Sequence, residues 1–369
     1  MTRKIFIAAT GQNSGKTTTS ISLLHLARKK YERVGFIKPL GPKPATLRGR
    51  AVDKDAALIA QVFDLQRDLR FMSPVVVYPD TTRRVIDGEI EVAELQERIL
   101  HAHAELEKMC DFIVIEGAGH SGVGSVMKLS NARIARLLDA PVLMVTGGGV
   151  GNVVDTVCMN LALFRQEGAE VRAVLVNKLI PEKRERVLDY LGRALADEPF
   201  TLIGGFDFQP VLANPTLRRI SRLLDIPLHG NRREMGRIIH HVQIGAASTQ
   251  RITELLKDST LLLVTSSRDE LLVTLANLYQ MPEYRSRIAG LVIPGIMPIS
   301  TITQRIIDRS NIPYLRAEAQ TTAELYRIIT EDVSKITAED TEKLELIESL
   351  AERNLDFDAL DALFAGGRP

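Results

Sequence analysis

Residues 5–29 read IFIAATGQNSGKTTTSISLLHLARK. An apolar run enters a loop of small residues, the loop closes on Lys16 and three threonines, and a helix-length segment follows. Strand, glycine loop and helix in that order make a phosphate cradle. Successive backbone N–H groups from Gly11 through Asn13, Ser14 and Gly15 face one hollow, beside the positive end of a helix that starts at Thr17. Glycine permits both the backbone angles and the close approach of a ligand. In such a loop Lys16 reaches the β- and γ-phosphates of a nucleotide, the Thr17 hydroxyl completes part of a Mg²⁺ shell, and Thr18 contacts a phosphate. The usual spacing puts a glycine where Thr10 stands, so the motif is a variant and its flanking strand and helix carry the reading.

Outward from the loop, short apolar runs alternate with longer helix-like segments. KIFIAA, RVGFIK, DFIVIE, PVLMVT and VRAVLVN are the runs, and helices are expected over 17–30, 53–63, 131–138, 152–166 and 182–195. Continuous apolar runs of this length are strands covered on both faces, and their alternation with helices implies a parallel sheet. The fold class is α/β: a doubly wound parallel sheet of P-loop NTPase type. After the proline-bearing stretch GGFDFQPVLANPTLRRISRLLDIP the alternation resumes with TLLLVT, a helix near 268–279, IAGLVIPG and a helix near 301–309. The expected organisation is a nucleotide domain over 1–214, a second, smaller α/β domain over 215–325 and a helical tail over 326–369.

Of 369 residues, 47 are Lys or Arg and 46 are Asp or Glu, a balance that points to neither nucleic acid nor an anionic membrane as partner. Cys110 and Cys158 lie far apart in apolar segments and read as buried thiols of a reducing compartment. With no long apolar run, a cytoplasmic protein is expected.

A Mg-nucleotide site needs a carboxylate at a strand end, because Mg²⁺ takes oxygen ligands. Glu116 ends the run DFIVIE just before Gly117 and Gly119, at the sheet edge where α/β ligands bind. Lys38, in FIKPLGPK, projects from the same edge toward the phosphates or is a surface lysine before a proline. The acids of DKDAALIAQ also read as a helix start facing the dipole. His240 and His241 have no ligand-spaced partner, and His101 and His103 do not share a helix face.

ATGQNSGKTTTS, FIKPLGPK, DKDAALI and EGAGH, in that order, resemble the dethiobiotin synthetase family. MSPVVV, the long match from EGAGHSGVGSVMKLSNARIARLLDAPVLMVTGGGVGNVVD, and VRAVLVNK resemble more closely the dethiobiotin synthetase-like region at the N-terminus of bacterial phosphotransacetylases, which also occurs alone. There a DRTGG domain follows, and LLLVTSSRDELLVTLANL, IAGLVIPGIMPIS and IPYLRAEAQTTAEL are similar to it. The resemblance implies phosphate binding by Gly15, Lys16 and Thr17, and Mg²⁺ held by Thr17, Asp55 and Glu116. It also implies that Lys38 lies beside the transferred phosphoryl group, that Asn177 lies near the adenine, and that the protein is a homodimer.

Two departures bear on the chemistry. HSGVGSV replaces the glycine and aromatic residue that follow EGAG in the synthetases, and Gln12, Asn13 and Ser14 replace their substrate-contacting pattern. Carboxylation of a diamine is therefore not expected, and His120 is read as a loop hydrogen-bond former or a proton carrier. Lys43, Arg48 and Arg50 form either a basic lid over an anionic ligand or a solvated loop. Asp269 and Glu270 are expected to cap their helix. The leading expectation is a Mg-ATP-binding regulatory ATPase whose second domain senses a ligand or dimerises. It carries no acetyltransferase domain in this chain, and a separately encoded phosphotransacetylase is a candidate partner. An ATP-dependent ligase acting on an amine and a non-catalytic nucleotide-binding scaffold are the alternatives.

Overall fold

The computed structural model describes residues 2–332 and 334–365. The chain divides into two compact units, Met1–Phe208 with Leu344–Pro369, and Gln209–Lys343.

The strands of the first unit are β1 (Arg3–Ala9), β2 (Val34–Ile37), β3 (Leu40–Gly41), β4 (Pro44–Leu47), β5 (Arg50–Asp53), β6 (Val75–Val76), β7 (Phe112–Glu116), β8 (Val142–Thr146), β9 (Val171–Val176) and β10 (Thr201–Gly204). Six form one sheet in the order β10-β9-β8-β1-β7-β2, and every pair in it is parallel. β1 is central because IFIAA is apolar at every position and all five of those side chains are buried. Every expected strand of this sheet is present; β10 is an addition, an edge strand whose residues are only partly covered.

Strand order reverses at β1, since the chain runs from it to β7 and β2 on one side and to β8, β9 and β10 on the other. The loops leaving β1 and β7 therefore open a crevice at their C-terminal ends. The stretch expected as a basic loop folds as the antiparallel hairpin β4–β5, turning at Arg48 and Gly49, whose φ angles are both positive, 49° and 74°. Two positive φ angles in a row match the right-handed twist of the flanking strands.

Cys110 is buried as expected, but Cys158 is exposed. It lies on the helix Gly151–Glu167 one position past Val157, and that step turns it off the buried stripe of Val153, Val157, Leu161 and Phe164. The helix Phe357–Ala365 belongs to this unit: Tyr31 Oη donates to Asp361 Oδ2 at 2.7 Å, and the Phe357 and Phe112 rings lie 5.6 Å apart.

The second unit is built on β11 (His241–Ile244), β12 (Thr260–Leu263), β13 (Ile288–Pro294) and β14 (Tyr314–Ala317), all parallel and side by side in chain order. Apolar clusters cover both faces, one around Leu262, Val264 and Leu272, the other around Ile220, Leu263 and Leu325. Asp269 and Glu270 do not cap the helix Asp269–Leu278; its N-cap is Arg268, with no side-chain cap, and the acids are first-turn residues. No helix among the described residues is long and apolar enough to cross a membrane.

Candidate nucleotide site

The loop after β1 takes the shape its glycines allow. Gly15 sits at φ 103° as the N-cap of the helix α1 (Lys16–Ala27), and Asn13 also has positive φ, 56°. The first N–H groups of α1 have no side-chain cap, so they face the crevice. Inside the loop Ser14 Oγ donates to the Gly11 carbonyl at 3.1 Å, and Thr19 Oγ1 donates to the Gly15 carbonyl at 3.0 Å. Asn177, at the end of β9, braces the loop from beneath: Nδ2 donates to the Ser14 carbonyl at 3.0 Å while Oδ1 accepts from the Lys178 N–H at 2.8 Å. A Cβ on Gly15 would lie 2.2 Å from Asn177 Nδ2, so loop and strut fit only with glycine.

Lys16, Thr17, Lys38, Asp55 and Glu116 are brought together. Lys38 Nζ donates to Glu116 Oε1 at 2.7 Å, to Asp55 Oδ2 at 3.0 Å and to the Gly117 carbonyl at 3.2 Å. Thr17 Oγ1 donates to the same Glu116 oxygen at 3.3 Å, and Ser20 Oγ to Glu116 Oε2 at 2.6 Å. Lys38 is 2% exposed and Glu116 is fully buried, which excludes the surface-lysine reading. Burying one such ion costs several kcal/mol unless partners compensate, and here each charge has opposite partners at hydrogen-bond distance.

The electrostatics follow from burial and these neighbours. Burial disfavours the Lys38 charge, but Glu116, Asp55 and Asp53 outweigh it and hold its pKa above the usual lysine value. Burial likewise opposes the Asp55 charge, yet Lys38 and Lys43 prevail and pull its pKa down to about 2. Lys16 goes the other way: burial, helped by Lys38 and Lys43, brings its pKa down to about 8 against the pull of Glu116. Its Nζ donates to the Gly119 carbonyl at 2.6 Å.

The two acids of DKDAALI are placed differently. Asp53 caps the helix α2 (Lys54–Val62), accepting from the Asp55 N–H at 2.8 Å and the Lys43 N–H at 3.0 Å, and it is thereby the residue that aims Asp55 at Lys38. Lys43 Nζ also donates to Asp55 Oδ2, at 3.2 Å. Arg48 and Arg50 are exposed at the hairpin tip. His120 is exposed and its Nδ1 accepts from the Gly122 N–H at 3.2 Å, a loop hydrogen bond. Thr18 is half-buried on the first turn of α1.

Three side chains of the site went unread in the sequence: Ser20, Asn131 and Asn160. Asn131 holds the loop after β7 by accepting from the Ala118 N–H at 3.0 Å and donating to the Ala118 and His120 carbonyls, each at 2.6 Å. Asn160 accepts from Ser121 Oγ at 2.5 Å and donates to the Thr10 carbonyl at 3.3 Å, tying that loop to the phosphate loop.

A metal's ligands can be tested against this set. Among the described residues there is no cluster of three or more His, Cys, Asp or Glu fit for a metal ion. One hydroxyl and two carboxylates, already gathered around a positive centre at Lys38 Nζ, are instead the hard oxygen donors that Mg²⁺ takes when phosphate and water complete its shell. Thr17, Asp55 and Glu116 fit that ion.

Residues 3–216 match the AAA_26 family, an AAA domain. The phosphate acetyltransferase of Synechocystis is 24% identical over 79% of this chain and 42% of its own length. The ATP-dependent dethiobiotin synthetase of Xanthomonas euvesicatoria is 24% identical over 51% of this chain and 83% of its own. This chain spans about half the length, or less, of the phosphate acetyltransferases it matches. Among solved structures, the CBS and DRTGG domains of a Clostridium perfringens pyrophosphatase align at 14% identity and a TM-score of 0.25, over 33% of this chain and 47% of that one.

Proposed function

Because the chain belongs, through residues 3–216, to the AAA_26 family of AAA domains, we propose that it is a Mg-ATP-binding regulatory ATPase of the cytoplasm. The observation that carries this reading is the cluster in which Lys38 bridges Asp55 and Glu116 beside Thr17, at the end of the phosphate loop. Phosphate and cation sites are thus side by side.

In this reading the backbone N–H groups of residues 11–17 and the Lys16 ammonium take the β- and γ-phosphates. Thr17, Asp55 and Glu116 hold Mg²⁺, which when bound neutralises charge on the phosphate oxygens. Lys38 lies beside the γ-phosphoryl group, and Asn177 is assigned the adenine edge by resemblance alone. Ser20 fixes the Glu116 carboxylate through the oxygen that Lys38 does not use. Asn131 and Asn160 keep the two loops in register. The second unit is a DRTGG-type sensor or dimerisation module, the protein is a homodimer, and a separately encoded phosphotransacetylase is its partner.

Calorimetry on the full chain tests the core of this. Mg-ATP is expected to bind, and Lys16→Ala to weaken it by about tenfold or more, the worth of a charge-assisted hydrogen bond. Unchanged binding in that variant sinks the reading. Hydrolysis assayed with and without added phosphotransacetylase then tests regulation, for which stimulation by the second protein is the expected result.

A further inference from the structure

We infer that Lys43 is a specificity-determining residue of this site: it competes with the divalent cation for Asp55 and, once displaced, gives its ammonium to the terminal phosphate of the nucleotide. The inference rests on the Mg-ATP reading above.

The geometry singles out Lys43. Asp55 Oδ2 accepts from two ammonium groups, Lys38 at 3.0 Å and Lys43 at 3.2 Å. A divalent cation on the same carboxylate would meet two positive charges at close range, so one must leave. Lys38 cannot: it is enclosed and tied also to Glu116 and the Gly117 carbonyl. The Lys43 side chain is 37% exposed and opens to solvent at the crevice mouth.

Its backbone, by contrast, is held. The Lys43 N–H donates to Asp53 Oδ2 at 3.0 Å, and its carbonyl accepts from the Lys54 N–H at 2.9 Å. Pro42 and Pro44 stand on either side of it, fixing φ at both neighbours and restricting Lys43 itself to extended angles. A displaced ammonium therefore stays within reach of its own four-carbon stem. Lys43 also stands on the phosphate side: the Asp55 oxygen it holds is shared with Lys38, which reaches the Glu116 oxygen that Thr17, on the first turn after the phosphate loop, also contacts. In the sequence Lys43, Arg48 and Arg50 read as one basic group; the structure separates the first from the other two, which sit at the exposed hairpin tip.

The test is calorimetric titration of Mg²⁺ into the full chain holding either adenylyl imidodiphosphate or ADP. Wild type is compared with Lys43→Met, Lys43→Arg and Arg50→Gln. Lys43→Met is expected to bind Mg²⁺ roughly fivefold tighter, as befits loss of a half-exposed competing charge, and to lose most of the preference for the triphosphate analogue over ADP. Lys43→Arg should retain the preference, and Arg50→Gln should match wild type. An unchanged Mg²⁺ affinity and preference in both Lys43→Met and a Lys43→Gln variant overturns the inference. So does Arg50→Gln reproducing the Lys43→Met phenotype, since diffuse charge would then suffice. If wild type binds no Mg-nucleotide, or Lys16→Ala binds it as well as wild type, the site reading itself falls and this inference with it.

Discussion

The two units are each built on a parallel sheet covered on both faces, yet the charges at the first sheet's edge are buried together while those at the second's pair with exposed carboxylates. At the C-terminal edge of the first, Lys16, Lys38, Asp55 and Glu116 converge on one another. At the same edge of the second, the arginines are taken up by carbonyls of the neighbouring strand's loop and by the exposed Glu270 and Glu318. Arg268 donates to the Gly245 and Ala247 carbonyls, each at 3.1 Å, and Arg316 to the Ile293, Gly295 and Met297 carbonyls at 2.8, 2.5 and 2.8 Å. Strand order accounts for the contrast. The first sheet reverses at β1, which parts its loops, whereas β11-β12-β13-β14 runs in sequence and has no reversal to open a crevice. Parallel architecture alone does not make a site.

If the first edge stores opposed buried charges, removing one should be costly. Glu116→Ala is expected to destabilise the first unit by about 3–5 kcal/mol in denaturant unfolding, because Lys38 then keeps a buried charge short of its partner. Adding Lys38→Met should recover much of that loss. A cost below about 1 kcal/mol would mean that the cluster is hydrated and the contrast between the edges is false.

Acid gives the next effect. Burial, helped by Lys4 and opposed by Glu107, brings the His103 pKa from 6.5 down to about 4. The folded state thus holds a neutral imidazole that the unfolded chain protonates first. The stability is complete above pH 6.5 and is lost as pH falls toward 4, by up to about 3 kcal/mol. His103→Gln should flatten that limb of the unfolding profile; a limb unaltered in the variant refutes the assignment.

Gly15→Ala comes third, at about 1–3 kcal/mol, since it combines φ 103° with a clash against Asn177. It should lower nucleotide affinity more than stability, and the reverse ranking would deny the loop its role. Smallest is Arg316→Met in the second unit, about 1–2 kcal/mol of stability from lost loop hydrogen bonds, with nucleotide affinity the same within about twofold. An affinity that moved with this change would show that the second edge takes part in the site.

The sheet strands legible in the sequence are those buried on both faces, where IFIAA, FIVIE and VLMVT are apolar without interruption. Among the strands that escaped notice, β10 (TLIG), β11 (HVQI) and the hairpin strands PATL and RAVD are partly exposed, the hairpin turning on Arg48 in place of the asparagine that usually announces it, and β14 (YLRA) is buried but its apolar run is broken by Arg316. Lys38 and Glu116 could be read because each stands at a strand end, and Lys16 because it closes the glycine loop at the start of a helix. Ser20 could not, since its partner Glu116 is 96 positions away and a serine inside a helix gives no local sign of one. Asn160 is similar, with the Thr10 carbonyl 150 positions distant.

The helix Phe357–Ala365 has a further meaning for how the molecule is made. Arg3 Nη1 donates to the Ala365 carbonyl at 2.9 Å, across 362 positions of chain. A protein synthesised from its N-terminus must therefore emit β1 first and wait through the whole second unit before the helix that covers the start of that strand exists. Contacts so distant in sequence close late, because the intervening loop's entropy must be overcome first. The unit begun first on the ribosome is the one finished last, and the stacked Tyr31 and Phe112 rings lack their contacts with Asp361 and Phe357 until then.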